Sequence, residues 1–154
     1  MTDTPHRPRF PDLPPIWLAG YMVVVVLIDQ ALPSLAMEPG LLRPIGFGLA
    51  GLGVALIFWS GAHFAKAKTP IEPGHTPKTL LATGPYRINR NPIYTGMAAI
   101  LAGFSLGSGV LWGLVLVILF VQVINKRFIV HEERILRDTF GAEAEAYIAQ
   151  TRRW

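Results

Sequence analysis

The stretch LLRPIGFGLAGLGVALIFWSGAHF, residues 41–64, decides the fold. The hydrocarbon core of a bilayer is about 30 Å thick, and a helix needs about 20 consecutive apolar residues to cross it. Residues 42–64 supply that length. Gly46, Gly48, Gly51 and Gly53 recur along the run at spacings that let another helix approach closely. The stretch therefore predicts a membrane-spanning helix packed tightly against a neighbour.

Three further apolar runs extend this pattern, at residues 16–35, 93–106 and 110–130. The third run is short, and the GSG at residues 107–109 joins it to the fourth as a tight helical hairpin. Of the 154 residues, 51% are hydrophobic and only 16% are charged, which is below the share of a typical soluble domain. The sequence predicts an all-α integral membrane protein with about four transmembrane helices, of which the last two form a helical hairpin.

The first run has a competing interpretation as a secretory signal. Asp29 and Gln30 interrupt its apolar character, and no convincing small-residue cleavage site follows, so a membrane span is favoured. Asp29 is expected at the outer edge or turned into the helix bundle, with a structural role and a functional role equally open. At the other end, AEAEAYIAQTRRW (residues 142–154) predicts a short interfacial helix with Trp154 as a membrane anchor.

The placement of the basic residues indicates the orientation. If the N-terminus is cytoplasmic and there are four spans, Arg43 alone of the 14 Lys and Arg residues falls outside. Both termini are therefore expected in the cytoplasm. The same residues follow the membrane edges and do not cluster on one soluble face, so we expect no nucleic-acid partner. The chain has no cysteine, and no metal site is expected.

Two polar blocks at the predicted cytoplasmic boundary are the candidate functional residues. In TGPYRINRNPIYTGM (residues 83–97), Pro92 suits the first position of the third helix and Asn91 its N-cap, which leaves helix-start amides for a polar ligand. In NKRFIVHEERILRDTFG (residues 125–141), Glu133 and Arg137 are spaced for an ordinary surface ion pair. Arg87 and Arg90, which flank two tyrosines, are harder to explain by structure alone.

The two blocks carry a resemblance to a known family. GPYRINRNPIYTG (residues 84–96), followed after the hairpin by HEERILRDTFGAEAEAY (residues 131–147) and RRW, resembles the membrane superfamily of isoprenylcysteine carboxyl methyltransferases and phospholipid methyltransferases. The resemblance covers roughly residues 69–154. Asn91 stands where the isoprenylcysteine enzymes usually have histidine, so no role that depends on an imidazole is carried over.

The resemblance implies a single membrane-embedded methyltransferase domain over residues 1–154, with two N-terminal helices in residues 1–64. Residues 65–154 would supply a cytoplasmic connector, the hairpin and a cofactor-binding tail. The implied cofactor is S-adenosyl-L-methionine, and Arg90 and Glu133 are the implied catalytic residues. Tyr147 and Arg152 are additional expected contacts. The implied cofactor-binding residues are Gly84, Pro85, Tyr86, Arg90, Asn91, Pro92, Tyr94, Gly96, His131, Glu132 and Glu133.

The expected reaction is direct in-line methyl transfer to a lipophilic acceptor that enters from the membrane. A carboxylate acceptor, as in an isoprenylcysteine-like or other lipid-linked substrate, could be oriented by Arg87 or Arg90 without a base. An amine, thiol or phenol would need a group to take its proton, for which His131 and Glu133 are the candidates. Two other functions stay open at this point: an NADPH-dependent membrane reductase of the sterol-reductase type, and a non-catalytic lipid-binding membrane protein.

Overall fold

The computed structural model describes residues 10–33, 38–71 and 74–154 of the chain. Its helices are α1 (Pro14–Ala31), α2 (Leu42–Ala67), α3 (Pro92–Gly107), α4 (Gly113–Ile124), α5 (Val130–Phe140) and α6 (Ala142–Gln150). A 3-10 turn, Gly84–Arg87, precedes α3, and a π-helical turn, Asn125–Ile129, joins α4 to α5 without a break. The described residues form no β-strand, which confirms the all-α prediction.

Within the described residues, three helices are long and apolar enough to cross a membrane: Pro14–Ala31, Leu42–Ala67 and the continuous helix Gly113–Phe140. The shorter apolar helix α3 has 16 residues, or about 24 Å of helix. Large apolar side chains on the outward faces of α1, α2 and α4 are exposed, among them Leu27, Phe58 and Ile118. Such surfaces are costly in water and suit contact with lipid.

Helix α3 packs most extensively against α2, along a line of glycines that we call the glycine seam: Gly46 and Gly53 of α2 with Gly96, Gly103 and Gly107 of α3. A Cβ built on Gly53 would lie 2.5 Å from the Gly96 carbonyl oxygen, so no other residue fits without moving the backbone. The prediction of a close helix contact is confirmed for Gly46 and Gly53. Gly48 and Gly51 face open space instead.

The core lies between α3, α4 and α1. Its fully buried side chains include Leu101 of α3, Phe120 and Ile124 of α4, and Val25 of α1. The 3.6-residue period of α4 turns Phe120 and Ile124 inward, while Ile118 and Leu119 point outward. The hairpin expected of α3 and α4 is confirmed, with residues 108–112 as the connection.

Several sequence-based boundaries are wrong. Helix α1 covers Pro14–Ala31 and not residues 16–35, because two prolines start it and a third, Pro33, follows its end. Residues 34 and 35 of that predicted span lie outside the described residues. The fourth apolar run, residues 110–130, becomes helical only at Gly113, and its helix continues through the charged segment to Phe140, as its sequence favours. The C-terminal helix exists, yet Trp154 packs against the protein core and does not extend as an isolated anchor.

Candidate active site

The start of α3 is held by short-range contacts within the first polar block. Gly84 has φ of +59°, a left-handed conformation that favours glycine, and it leads into the 3-10 turn that buries Tyr86. The backbone N–H of Asn91 donates to Oδ1 of Asn89 at 3.0 Å. Pro92 is the first residue of α3, as predicted, and the structure also buries it. Asn91 occupies the N-cap position, but its side chain does not cap the helix.

The side chains of Arg90, Asn91, Glu133 and Arg153 join the start of α3 to α5 and the C-terminal tail, and we call this group the tail clasp. Glu133 is 4% exposed. Its Oε1 accepts from Nη2 of Arg90 at 3.1 Å and from Nε of Arg153 at 2.9 Å. Its Oε2 accepts from Nη2 of Arg153 at 2.5 Å. One carboxylate is thus bound by two guanidinium groups.

Backbone carbonyls of the tail complete the clasp. Nη1 of Arg90 donates to the carbonyl oxygens of Ile148, at 2.9 Å, and Thr151. Nδ2 of Asn91 donates to the Arg153 carbonyl at 2.9 Å, and the backbone N–H of Arg90 donates to the Arg152 carbonyl at 2.8 Å. These bonds fold the last residues of the chain over the first polar block.

The expected ion pair between Glu133 and Arg137 is wrong. Arg137 pairs instead with Glu145 of α6, at 2.9 Å, because the guanidinium groups of Arg90 and Arg153 occupy the Glu133 carboxylate. Arg153 and its second partner, Asn125, were not predicted as site residues. The signal available in the sequence was the RRW ending, which drew attention to Arg152 but did not distinguish the two neighbouring arginines.

A cavity of about 440 Å³ lies beside the clasp. Its walls come from the start of α1, the C-terminal half of α2, the connector, the start of α3, and α5 with Tyr147 of α6, and most of them are apolar. Among the described residues that line the cavity, Arg90 is the only Lys or Arg. The cavity therefore offers an apolar volume with a few polar groups, which is the usual character of a small-molecule site.

Glu132 brings an acidic group to this cavity without a basic partner. Its Oε1 accepts from the phenol of Tyr94 at 2.6 Å, and no ion pair to it is found among the described residues. The next residue, Glu133, also lines the cavity but is neutralised by the clasp. Two adjacent carboxylates thus have different electrostatic environments, and Glu132 is the one available to a positive ligand.

Two tyrosines brace the cavity wall. The phenol of Tyr147 donates to the Tyr86 carbonyl at 2.7 Å, which fixes α6 to the turn before α3. Burial raises the pKa of Tyr147 to about 12 and the pKa of Tyr86 further still. Both phenols therefore remain protonated near neutral pH, so neither serves as a base.

The structure brings together seven of the eleven residues proposed to bind cofactor. These line the cavity: Tyr86, Arg90, Asn91, Pro92, Tyr94, Glu132 and Glu133. Gly84 and Pro85 are not part of the lining and begin the 3-10 turn before α3. Gly96 faces Gly53 and Ile57 of α2, as part of the glycine seam.

Two polar candidates lie outside the cavity lining. Arg87, proposed to bind substrate, is exposed, and His131 faces a separate cleft on the other side of α5, where Nη2 of Arg134 is 2.9 Å from its Nδ1. The two polar blocks nevertheless meet at one end of the bundle, as the sequence predicted.

Comparison with known proteins adds an independent observation. The family described as phospholipid methyltransferase matches residues 42–143, which include α2 to α5, the glycine seam and both carboxylates of the cavity. No curated protein and no solved structure matches the chain. With two thirds of its length matched and with helices that suit a bilayer, the chain is an integral membrane protein that belongs to the phospholipid methyltransferase family.

Proposed function

We propose that the chain transfers a methyl group from S-adenosyl-L-methionine to a lipophilic acceptor, with the cofactor in the cavity beside the tail clasp. The observation that carries the proposal is Glu132, an acidic side chain that lines an apolar cavity and has Tyr94 as its partner. The cofactor brings a sulfonium and an ammonium group. A carboxylate in apolar surroundings attracts such cations far more strongly than one in water does.

The cavity fits the cofactor in size and in chemistry. A volume of about 440 Å³ falls within the usual range for small-molecule sites. Tyr86 and Tyr94 supply aromatic surface for the adenine or the sulfonium. Ile93 and Tyr94 line the cavity at the first turn of α3, where no side chain caps the helix, so their N–H groups suit the cofactor carboxylate. Arg90 would not fill that role, since its guanidinium already binds Glu133 and the tail.

The bound cofactor supplies an electrophilic methyl group for direct displacement. The chain's own residues then have three tasks: they align the acceptor, exclude water and stabilise positive charge. The apolar walls exclude water. The tail clasp fixes the start of α3 relative to α5, and so holds Tyr94 and Glu132 in hydrogen-bonding contact at the cavity wall. Glu132 stabilises the positive charge.

The charge of the cavity supports an amine acceptor over the carboxylate considered from sequence. A carboxylate acceptor would need a cation, and Arg90, the only one in the described lining, is paired. An amine would suit Glu132, because Tyr94 occupies Oε1 and leaves Oε2 to accept the amine proton. His131 faces the other cleft, and Glu133 is bound between two arginines, so Glu132 replaces both as the proposed base.

The same shortage of cations bears on the reductase alternative. A nicotinamide dinucleotide phosphate carries several phosphate charges, which need Lys, Arg or helix-start amides. Besides the helix-start amides of Ile93 and Tyr94, the described lining offers one arginine, already paired with Glu133, and the acidic Glu132. This composition supports the methyl donor. The excess of basic residues at the same end supports a cytoplasmic location of the cavity and of both termini.

Calorimetry on the detergent-solubilised protein tests the proposal. We expect micromolar binding of S-adenosylhomocysteine and no binding of NADPH. Glu132→Gln should weaken S-adenosylhomocysteine binding by about tenfold or more, because the ligand keeps the ammonium group of the cofactor, though not its sulfonium, and the change removes the charge that attracts it. The acceptor for Tyr94 is kept. Glu143→Gln, an exposed change on α6, is the matched control and should bind as the unchanged protein does. NADPH binding in place of S-adenosylhomocysteine, or equal affinities for both variants, would contradict the proposal.

A further inference from the structure

A second cleft lies on the face of α5 opposite the cavity. It is lined by Lys126, Arg127, Arg134 and Arg137, with Asp12 and Asp138 as its acidic members. Four basic residues against two acidic ones give the lining a formal net charge of +2, with histidine neutral. None of these residues lines the cavity of the proposed reaction. The cleft is therefore a separate, positively charged site.

The basic residues of the cleft differ in how firmly they are held. Nη2 of Arg127 lies 2.7 Å from Oδ2 of Asp12, and its guanidinium stacks 5.3 Å from the Trp17 ring. Arg137 pairs with Glu145 at a solvent-exposed position, where an ion pair is weak and easily exchanged. Lys126 is exposed, and no ion pair to it is found among the described residues. Lys126 is thus the cation most readily offered to an anionic ligand.

The cleft continues a lipid-facing stripe. On the helix from α4 to α5, exposed residues recur at intervals of three or four, which places them on one face. They are Ile118, Gln122, Lys126, Val130, Arg134 and Arg137. Ile118 is 63% exposed and Val130 is 52% exposed. Ile118, the apolar member of the stripe on α4, and Lys126 are eight residues apart, which is about 12 Å along a helix.

The π-helical turn makes this continuity possible. It places Lys126 and Arg127 toward the cleft while Phe128 and Ile129 stay buried in the core. Turns of this kind insert one extra residue into a helix and are frequent at functional sites. The exposed apolar residue Ile118 and the basic cleft therefore lie on one face of the same continuous helix.

We propose that this cleft binds the phosphate headgroup of an anionic membrane phospholipid whose acyl chains lie along the stripe of α4. Charge complementarity selects the headgroup, and the exposed apolar residues select a lipid over a soluble phosphate ester. Basic clefts at the membrane edge attract anionic lipids by about 1 kcal/mol for each Lys or Arg near the surface. Because the cleft and the cavity use opposite faces of α5, the bound lipid is an accessory ligand and not the methyl acceptor.

Native mass spectrometry of the detergent-solubilised protein, titrated with phosphatidylglycerol or phosphatidylcholine, tests this inference. The unchanged protein should retain phosphatidylglycerol preferentially, and the double variant K126Q/R134Q should bind it roughly ten- to thirtyfold more weakly. The matched control K66Q/K68Q removes two exposed charges at the end of α2 and should keep the preference. K126R/R134K, which keeps both charges, should restore at least part of the binding.

Three results would overturn the inference. They are equal phosphatidylglycerol binding by the cleft variant and its control, no preference over phosphatidylcholine in the unchanged protein, and effective competition by glycerol 3-phosphate, which has no acyl chain. Binding of S-adenosylhomocysteine reports folding separately and should be the same in K126Q/R134Q as in the unchanged protein. V130E, which adds a negative charge to the cleft without removing an arginine or lysine, provides a second test and should also weaken lipid binding.

Discussion

Helix α3 is held at two places by different physics. Along its length, the glycine seam brings its backbone into contact with α2, and the contact depends on the absence of side chains. At its start, the tail clasp binds it to α5 and the C-terminus through two guanidinium groups and a buried carboxylate. The seam sets a distance that pH and salt hardly affect. The clasp sets the orientation of the cavity wall and depends on charge.

The largest expected effect comes from breaking the seam. Gly53→Val would place a Cβ 2.5 Å from the Gly96 carbonyl oxygen, so the two backbones must separate. We expect a loss of about 4 kcal/mol in the free energy of unfolding, at the upper end for overpacking. Equilibrium unfolding in mixed detergent micelles measures this. Gly51→Val, on the same helix but facing open space, should cost under about 1 kcal/mol. If Gly53→Val and Gly51→Val lower the free energy of unfolding equally, the close contact of the glycine seam is contradicted.

Removing the shared carboxylate should have the next largest effect. Glu133→Gln leaves Arg90 and Arg153 without their common anion, and breaking a buried pair in this way costs about 3 kcal/mol. The same unfolding experiment measures it, with Glu145→Gln as a control at an exposed ion pair. We also expect weaker binding of S-adenosylhomocysteine, since the wall of the cavity shifts. If Glu133→Gln lowers the free energy of unfolding no more than Glu145→Gln does, the clasp does not hold α3.

A smaller effect should distinguish the two arginines at the C-terminus. Arg153→Gln removes one partner of Glu133, but its side chain is 37% exposed and water screens part of the charge, so we expect about 1 to 2 kcal/mol. Arg152→Gln, at the exposed neighbouring position, should cost less than about 0.5 kcal/mol. High salt should reduce the loss in free energy of unfolding caused by Arg153→Gln, because salt screens its ion pair. The loss caused by Gly53→Val should not change with salt. Equal costs at positions 152 and 153 would argue against the clasp geometry.

The smallest effect concerns the hydrogen bond from Tyr147 to the Tyr86 carbonyl. Tyr147→Phe should cost about 1 kcal/mol near neutral pH, because the carbonyl loses its donor. The pKa of Tyr147 is raised by burial to about 12, whereas an exposed phenol titrates near 10. The folded state therefore keeps the proton longer, and its stability is full below about pH 10 and falls as the pH rises through 12. Above about pH 10, the free energy of unfolding should therefore fall less steeply with pH in Tyr147→Phe than in the unchanged protein.

The seam and the clasp also differ in how far the sequence revealed them. The glycines of α2 form a pattern within one short segment, and the partner helix was predictable from its apolar run. The clasp joins Arg90 to Glu133, 43 positions away, and a one-residue difference decides between Arg152 and Arg153. The sequence identified both polar blocks and the family. It did not show which of Glu132 and Glu133 is paired, because the pairing depends on which side of α5 faces Arg90 and Arg153.

The π-helical turn at Asn125–Ile129 has a consequence for chain length. The turn holds one extra residue, so a deletion of one residue here can be absorbed by its conversion to a regular turn of α-helix. An insertion between Phe120 and Glu132 has no such outlet and would rotate all that follows by about 100°. Glu132 would then leave the cavity, and Glu133 would no longer meet Arg90. Evolution of this segment should therefore tolerate a one-residue deletion more readily than an insertion.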